Sequence, residues 1–322
     1  MSKRPNTVPV SRVDRLATSV LEGLRKTPKE LSPVWFYDEH GSTLFDTICE
    51  LPEYYLTRTE LGIMQMHAAQ MAELIGPQAA LIELGSGTSL KTRLLLDHLI
   101  TPAAYVPVDI AREHLMHAAS TLAQDYPGLR IAPVCADFTQ PFELPAQVKA
   151  ASRRVIYFPG STLGNFSPEA AAELLTRMHD MAGPQGAVLI GIDLKKDPQV
   201  LRRAYNDSAG VTARFNLNAL RHINRELQTN FNLDAFEHRA VWLEDQSRIE
   251  MHLVSLRDQI VTVAGTDIPF SKAEHIRTEY CHKYSLEQFA TLAGSANLVA
   301  TRTWTDPEKK FCVQLLEPAR SH

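Results

Sequence analysis

Glu83-Leu84-Gly85-Ser86-Gly87 places two glycines directly after the apolar run AALIEL and just before a leucine-rich stretch that opens at Leu90. Strand, glycine turn and helix in that order bring backbone N–H groups to the carboxyl edge of a sheet, where a nucleotide-like ligand can approach the main chain closely. Three ligand classes use such a turn. The dinucleotide fingerprint G-x-G-x-x-G needs a third glycine where this chain has Leu90, and that glycine is the one that lets helix and strand pack closely. The phosphate loop G-x-x-x-x-G-K-[ST] fits at Gly85 and at Lys91-Thr92 but meets the same Leu90 at its second glycine. S-adenosylmethionine carries no pyrophosphate, so a looser E-x-G-x-G turn suffices, provided that an acid at the end of the next strand grips the ribose hydroxyls. Asp109 ends YVPVDI about two dozen residues after Gly85, close to the roughly 20-residue spacing expected of such an acid. Asp137-Phe138 ends the following strand-like run, offering a carboxylate to an adenine amine and a ring to flank the base. A glycine turn alone is as often plain structure. Three such features on consecutive strands favour S-adenosylmethionine.

The elements that must position these residues follow a regular rhythm between about 60 and 195. A helix through Thr59 to Leu74 leads to AALIEL, then a helix from Leu90 to Leu99, then YVPVDI and a helix from Glu113 to Gln124. RIAPVCADF, RRVIYFPG, a helix from Glu169 to Met181 and AVLIGIDL complete the series, with Pro168 suited to a first helical turn and Gly183-Pro184 closing it. Alternation of this kind predicts an α/β fold with a parallel, doubly wound, Rossmann-like sheet, and strands without polar alternation predict a sheet covered on both faces. From about 197 to 285 the texture changes to one helical stretch, AYNDSAGVTARFNLNALRHINREL, and two strand-like runs, RIEMHLVSL and QIVTV. A helix, LEQFATLAGSA, and two last strands, LVATRTWT and FCVQLLE, then resume the first pattern around Asp306-Pro307. This organisation predicts two domains: residues 60–196 plus 286–322 as a cofactor domain, and 1–59 plus 197–285 as a second, α+β substrate domain formed by the N-terminal segment and an insertion. The first sixty residues show no sheet rhythm.

Composition bounds the functional classes. With 44% hydrophobic and 22% charged residues, the chain can bury a sizeable core. A net charge of -4 without a basic run points away from nucleic acid as a partner. The N-terminal MSKRPNTVPVSRVDR has no apolar stretch behind its charges, and no later run approaches a membrane span. A cytosolic protein without a membrane partner is expected, with monomer as the default state. The four cysteines, Cys49, Cys135, Cys281 and Cys312, are far apart and read as buried thiols. His114 and His117 share helical spacing without a third ligand and read as surface residues, so no metal is expected.

Several longer strings carry a resemblance. IELGSGTSLKTRLLL, FPGSTLGNF, AYNDSAGVTARFNLNAL with INREL, RIEMHL, and the early WFYDEHGSTLFD and LPEYYLTR closely resemble the histidine-specific N-alpha-methyltransferases of ergothioneine biosynthesis, from about Pro33 to Trp304. The resemblance implies a class I methyltransferase core, a second domain of the composition just described, and transfer of three methyl groups from S-adenosylmethionine to the α-amine of L-histidine, giving hercynine. It places Gly85, Lys91, Asp109, Asp137 and Phe138 where the family binds cofactor. Tyr54, Asn165 and Tyr205 fall where it holds the amino and carboxylate groups of the substrate, Met251 and Glu279 where it lines the imidazole pocket, and Gly160 close to the transferred group. One position departs. Where the family reads T-E-x-S, this chain reads Thr278-Glu279-Tyr280-Cys281, so a thiol, a weaker hydrogen-bond partner, stands for the serine hydroxyl beside the imidazole.

Methyl transfer from a sulfonium is an in-line displacement, so the protein's main task is to hold the amine nitrogen about 3 Å from the methyl carbon. An amide at Asn165 and phenols at Tyr54 and Tyr205 suit an amino-acid headgroup, although a tyrosine beside Pro and Glu often simply packs, and Asn165 after Gly164 also suits a left-handed turn. The attacking amine must lose a proton, for which loss to water relayed by Tyr37 is the expected route. A trimethylated product cannot donate hydrogen bonds and is best tolerated by aromatic faces, with Tyr37, Phe45 and Phe166 as candidates that could equally belong to a core. Glu279 is expected to set specificity by accepting from an imidazole N–H. Two other readings stay open: the same chemistry on another aromatic or modified amino acid, prompted by Cys281, and a nonenzymatic nucleotide-binding module.

Overall fold

A computed structural model describes residues 12–87, 90–149 and 151–319. Residues 1–11 and 320–322, which fall inside the expected domain limits, and Thr88 and Ser89 of the glycine-turn string lie outside the described residues.

From the N-terminus, helix α1 (Arg12–Leu24) is followed by the two-residue strand β1 (Lys29–Glu30), a single 3-10 turn at Pro33–Phe36, helix α2 (Glu39–Glu50) and the long helix α3 (Tyr55–Ile75). Asp38 starts α2, its Oδ1 accepting from the Gly41 N–H at 2.8 Å, which satisfies one of the donors that a helix start leaves open. The expected alternation then appears: β2 (Ala79–Leu84), α4 (Leu90–Leu96), β3 (Ala104–Asp109), α5 (Arg112–Asp125), β4 (Val134–Cys135), α6 (Ala146–Lys149), β5 (Arg153–Phe158), α7 (Pro168–Ala182) and β6 (Ala187–Asp193). Ser167 caps α7 ahead of Pro168, and Gly183 at φ 76° ends it, the asymmetry of residue types that the sequence announces. Two lengths differ from expectation. Helix α4 stops at Leu96, and RIAPVCADF shrinks to a two-residue strand plus one isolated bridge from Ile131 to Tyr105, because Pro133 between them has no N–H to give the ladder.

The insertion is richer in strands than the sequence suggests. Helices α8 (Pro198–Ala204) and α9 (Val211–Leu227) replace the single expected helix, and five strands follow, β7 (Phe236–Leu243), β8 (Arg248–Ser255), β9 (Gln259–Val263), β10 (Thr266–Phe270) and β11 (His275–His282), instead of two. Asp207 makes the helix break: its carboxylate accepts from the Val211 and Thr212 N–H groups at 2.9 and 2.7 Å, starting a new helix at that point. Helix α10 (Leu286–Ser295), opened by a Ser285–Gln288 capping box, and strands β12 (Leu298–Thr305) and β13 (Phe311–Pro318) complete the chain.

The chain divides into two compact units. One comprises the residues up to Tyr55 with Asp197–Tyr280, and the other Leu56–Lys196 with the residues from Cys281 onward. The second unit is built on a seven-stranded sheet of order β12-β13-β6-β5-β2-β3-β4, parallel except for β13, which runs antiparallel to both β6 and β12. Its strands are apolar on both faces. Ile82, Val106, Ile156 and Val188 pack under Leu174, Met178 and Phe289, whereas Leu81, Tyr105, Val155 and Leu189 pack under Met64, Met71 and Leu95. Period-2 side chains thus feed two separate cores, which explains the missing polar alternation. The first unit contains the sheet β1-β11-β8-β7 and the hairpin β9-β10, so the first sixty residues do contribute a short strand, Lys29–Glu30 pairing in parallel with Ile276–Arg277.

Candidate functional site

In the seven-stranded sheet, connections run from β2 outward through β3 to β4, and from β5 outward to β6, so the order reverses between β2 and β5. Ligands of open α/β sheets bind at the carboxyl ends of the strands flanking such a reversal. The glycine turn sits there. Gly85 has φ +72°, its N–H donates to the Val108 carbonyl at 2.8 Å, and a Cβ placed on it would stand 3.5 Å from the Phe138 ring. Only glycine adopts that backbone without strain, and the absent side chain keeps the strand end open to a ligand. Asp109 ends β3 half-buried. Its Oδ1 accepts from the Ala111 N–H at 2.9 Å, which leaves Oδ2 able to accept from a ribose hydroxyl. Asp137, exposed and two residues past the end of β4, spends Oδ1 on the Thr139 N–H and Oγ1, at 2.8 and 2.6 Å. Phe138 packs edge-on against Phe158 and Phe166, with ring centroids 5.5 and 6.4 Å away. The residues present therefore fit S-adenosylmethionine: an open glycine edge, a carboxylate for the sugar and a ring for the base.

Three further side chains shape this edge. Ile110, next to Asp109, is 64% exposed, an apolar side chain well placed to cover one face of a base. Glu60 on α3, buried at 1%, pairs with Lys91 and accepts the Gly160 N–H at 3.0 Å on both oxygens. The signal that could have found it is an acid three residues before Ile63 and four before Met64, on the apolar face of α3. Glu83, buried between Thr92 and Tyr105, has its carboxyl pushed up to about 7, burial outweighing the hydrogen bonds from Tyr105 and Thr92 and the charge of Lys91. The folded protein thus holds a proton that an unfolded chain releases near pH 4.5, so this stabilisation is complete below that pH and disappears as pH rises through about 7. Glu83→Gln, which imitates the protonated carboxyl, is expected to raise the melting temperature relative to wild type more at pH 8 than at pH 5; calorimetry at both pH values checks it.

Asn165 ends a 3-10 turn, Thr162–Asn165, that follows Gly160. The positive-φ residues of this loop are Gly160, at φ 81°, and Ser161, at φ 57°, and Asn165 is not among them, so the left-handed alternative for Asn165 does not hold. Gly164 lets the turn lie against the Cys281 segment, since a Cβ there would fall 2.7 Å from the His282 carbonyl and 2.8 Å from Cys281 Sγ. Cys281 is buried, and Lys283 Nζ donates to its sulfur at 3.2 Å while also pairing with Asp193 at 2.8 Å. Lys283 and Asp193 are both fully buried. Although burial opposes it, the Lys283 and Lys196 ammoniums keep the Asp193 carboxyl below the usual carboxylate range. The expectation of four buried thiols is corrected. Cys281 and Cys312 are buried, but Cys49 is half-buried and Cys135, opposite Asp109 in the β3–β4 pair, is exposed, because β4 is an edge strand with nothing beyond it in the sheet. His114 and His117 lie exposed on α5. Among the described residues no group of three or more His, Cys, Asp or Glu side chains is placed to hold a metal ion.

The other unit gathers the tyrosines. Phe45 stands 5.8 Å from the Tyr37 ring, 5.8 Å from Phe215 and 6.3 Å from Tyr54, and Tyr54 stands 6.3 Å from Tyr205. Tyr205, buried, closes α8. Tyr37 is 49% exposed, yet desolvation, followed by the charges of Glu279 and Cys49, raises its hydroxyl pKa, so the phenol keeps its proton at neutral pH. The influence of Glu279 on Tyr37 brings the β11 carboxylate into the electrostatic surroundings of this aromatic group. Met251 is buried on β8, and its carbonyl lies 3.0 Å from Thr278 Oγ1. Phe166 packs beside Phe138 in the sheet unit.

Strand order, the glycine edge and the carboxylate that ends β3 together define an S-adenosylmethionine-dependent methyltransferase. A solved structure of a Thermobifida fusca protein described as a methyltransferase shares this fold, with a TM-score of 0.51 and 14% identity over 92% of this chain and 98% of that one. Residues 16–318 match the family of histidine-specific, SAM-dependent methyltransferases, and the chain belongs to that family. The histidine N-alpha-methyltransferase of Mycolicibacterium smegmatis is 42% identical over 310 residues, 95% of either chain. Ergothioneine biosynthesis protein 1 of Neurospora crassa is 33% identical over 288 residues, 86% of this chain and 32% of that protein. The protein is accordingly an S-adenosylmethionine-dependent amino-acid N-methyltransferase acting on a small molecule.

Proposed function

We propose that this enzyme transfers three methyl groups in succession from S-adenosylmethionine to the α-amine of L-histidine, producing hercynine in ergothioneine biosynthesis. The observation that carries the acceptor assignment is the unit in which Tyr54, Tyr205, Phe45 and Tyr37 form one aromatic group with the Glu279 charge acting on it. Phenols donate to a carboxylate, a glutamate accepts from an imidazole N–H, and ring faces tolerate a trimethylammonium product.

In this reading the cofactor supplies a methyl group made electrophilic by its sulfonium. Gly85 and Asp109 hold it at the edge of β2 and β3, Phe138 and Asp137 receive its base, and Lys91 is kept in place by Glu60. Asn165 accepts from the acceptor's amine, and Gly160 lies close to the group transferred. Tyr54 and Tyr205 orient the carboxylate, and Met251, Glu279 and Cys281 line the imidazole pocket. The amine must be neutral to attack, and Tyr37, protonated at neutral pH, relays the released proton to water. Tyr37→Phe is then expected to lower kcat several-fold and to displace the acid limb of the kcat profile; an unchanged rate and profile removes the relay.

We extend the proposal to a cytosolic monomer without nucleic-acid or membrane partners, in keeping with the charge of -4 and with the finding that no helix among the described residues is long and apolar enough to cross a membrane. The sheet unit takes the cofactor, and the other unit supplies Tyr54, Tyr205, Met251 and Glu279 for the substrate. Mass spectrometry of reactions with individual amino acids tests the acceptor. Mono-, di- and trimethylated L-histidine are the expected products. Preference for another aromatic or modified amino acid instead supports the reading that the thiol of Cys281 suggests, and histidine left unmethylated overturns the acceptor assignment.

A further inference from the structure

Asn216, fully buried on α9, ties together four elements of its unit. Its Nδ2 donates to the His252 carbonyl of β8 at 3.1 Å and lies 2.8 Å from His238 Nδ1 of β7, while its Oδ1 accepts from Thr278 Oγ1 of β11 at 2.6 Å. The His252 carbonyl can only accept, which fixes the orientation of the amide, so His238 Nδ1 receives the hydrogen of Nδ2 and carries none itself. The ring proton therefore sits on Nε2, which donates to the Tyr205 carbonyl at 2.8 Å at the end of α8. Burial, the chief influence on His238, lowers its pKa and keeps the imidazole in that neutral form. An unbroken chain of hydrogen bonds, buried at Thr278 and Asn216 and partly buried at His238, thus runs from the residue next to Glu279 to the backbone of Tyr205.

We propose that Asn216 and His238 are positioning residues that set the separation between Tyr205 and Glu279, so that the enzyme selects its acceptor by the distance from α-carboxylate to side-chain N–H donor as well as by the presence of that donor. This rests on the roles of Tyr205 and Glu279 proposed above. No flexible side chain enters the chain of contacts: an amide, an imidazole and a β-branched hydroxyl each have few rotamers. The Thr278–Asn216 link is buried and the two links of His238 are partly buried, where an unmade hydrogen bond is costly, so the spacing resists adjustment to a longer acceptor. An ordinary buried polar cluster would stabilise the unit without affecting the choice between acceptors of different length.

The test compares L-histidine with its homologue bearing one more methylene between ring and α-carbon. One methylene is expected to separate the two by about tenfold or more in kcat/KM for the wild-type enzyme. Asn216→Ala and Thr278→Val are each expected to raise KM for histidine about tenfold, leave KM for S-adenosylmethionine within about twofold, and shrink the ratio between the two acceptors several-fold. Thr278→Ser, which keeps the hydroxyl, is expected to behave as wild type. Thr278→Val preserves shape, so it carries the test if Asn216→Ala does not fold. Equal losses on both acceptors, or an equal rise in KM for cofactor, overturn the positioning role. A wild-type enzyme that leaves histidine unmethylated overturns the acceptor assignment and this inference with it, whereas normal methylation with an unmoved ratio overturns this inference alone.

Discussion

Glu279→Ala is expected to raise KM for L-histidine by about 10- to 100-fold while KM for S-adenosylmethionine stays within about twofold. A hydrogen bond to a charged group contributes about 1.5–3 kcal/mol, and about 1.4 kcal/mol is tenfold in affinity, which sets that range. The position is held firmly. Thr278 on one side is buried and bonded to Asn216, and Tyr280 on the other lies under the guanidiniums of Arg248 and Arg277, 4.8 and 5.2 Å from its ring centroid. Loss of the carboxylate should therefore leave the strand in place. Glu279→Gln, which retains an accepting oxygen but no charge, should lose less. Steady-state kinetics with each substrate varied in turn decides the matter, and parallel rises in both KM values would sink the specificity role.

Asp109→Ala is expected to weaken S-adenosylmethionine binding by about 10- to 100-fold, again the value of a charge-assisted hydrogen bond. One oxygen of this carboxylate is used by the Ala111 N–H and the other remains for the ligand, so Asp109→Asn should retain the local turn and recover part of the binding. Titration calorimetry with S-adenosylmethionine and S-adenosylhomocysteine reads the effect directly, and NAD and ATP serve as controls that should bind neither protein. A dissociation constant unchanged in the variant would remove Asp109 from the cofactor site and leave the glycine turn a structural feature.

The sheet unit was largely legible because each of its strands is a short apolar run bounded by a turn and followed by an amphipathic helix. The insertion was not. Strand β7 contains Glu237, His238 and Arg239, and β10 contains Pro269, residues that look unlike a buried strand until cross-strand neighbours are known. The division between α8 and α9 was written in Asn206-Asp207-Ser208-Ala209-Gly210, a run of turn formers. The Asp207 cap shows why a new helix starts there.

By itself the sequence determined the class of cofactor and the family, because a glycine turn, an acid at the next strand end and long matching strings are local and survive without coordinates. Only the tertiary structure decided how those residues are held. Lys91 meets Glu60 across 31 positions and Gly160 meets the same carboxylate across 100. Cys281 acquires a buried ammonium from Lys283, and Asn216 joins strands and helices into one network. The physical reason is that desolvation makes each of these polar groups depend on a partner, and the partner is supplied by packing between distant segments that no window of sequence contains. The glycine turn thus identifies what the enzyme binds, while buried contacts of long range govern what geometry it can impose.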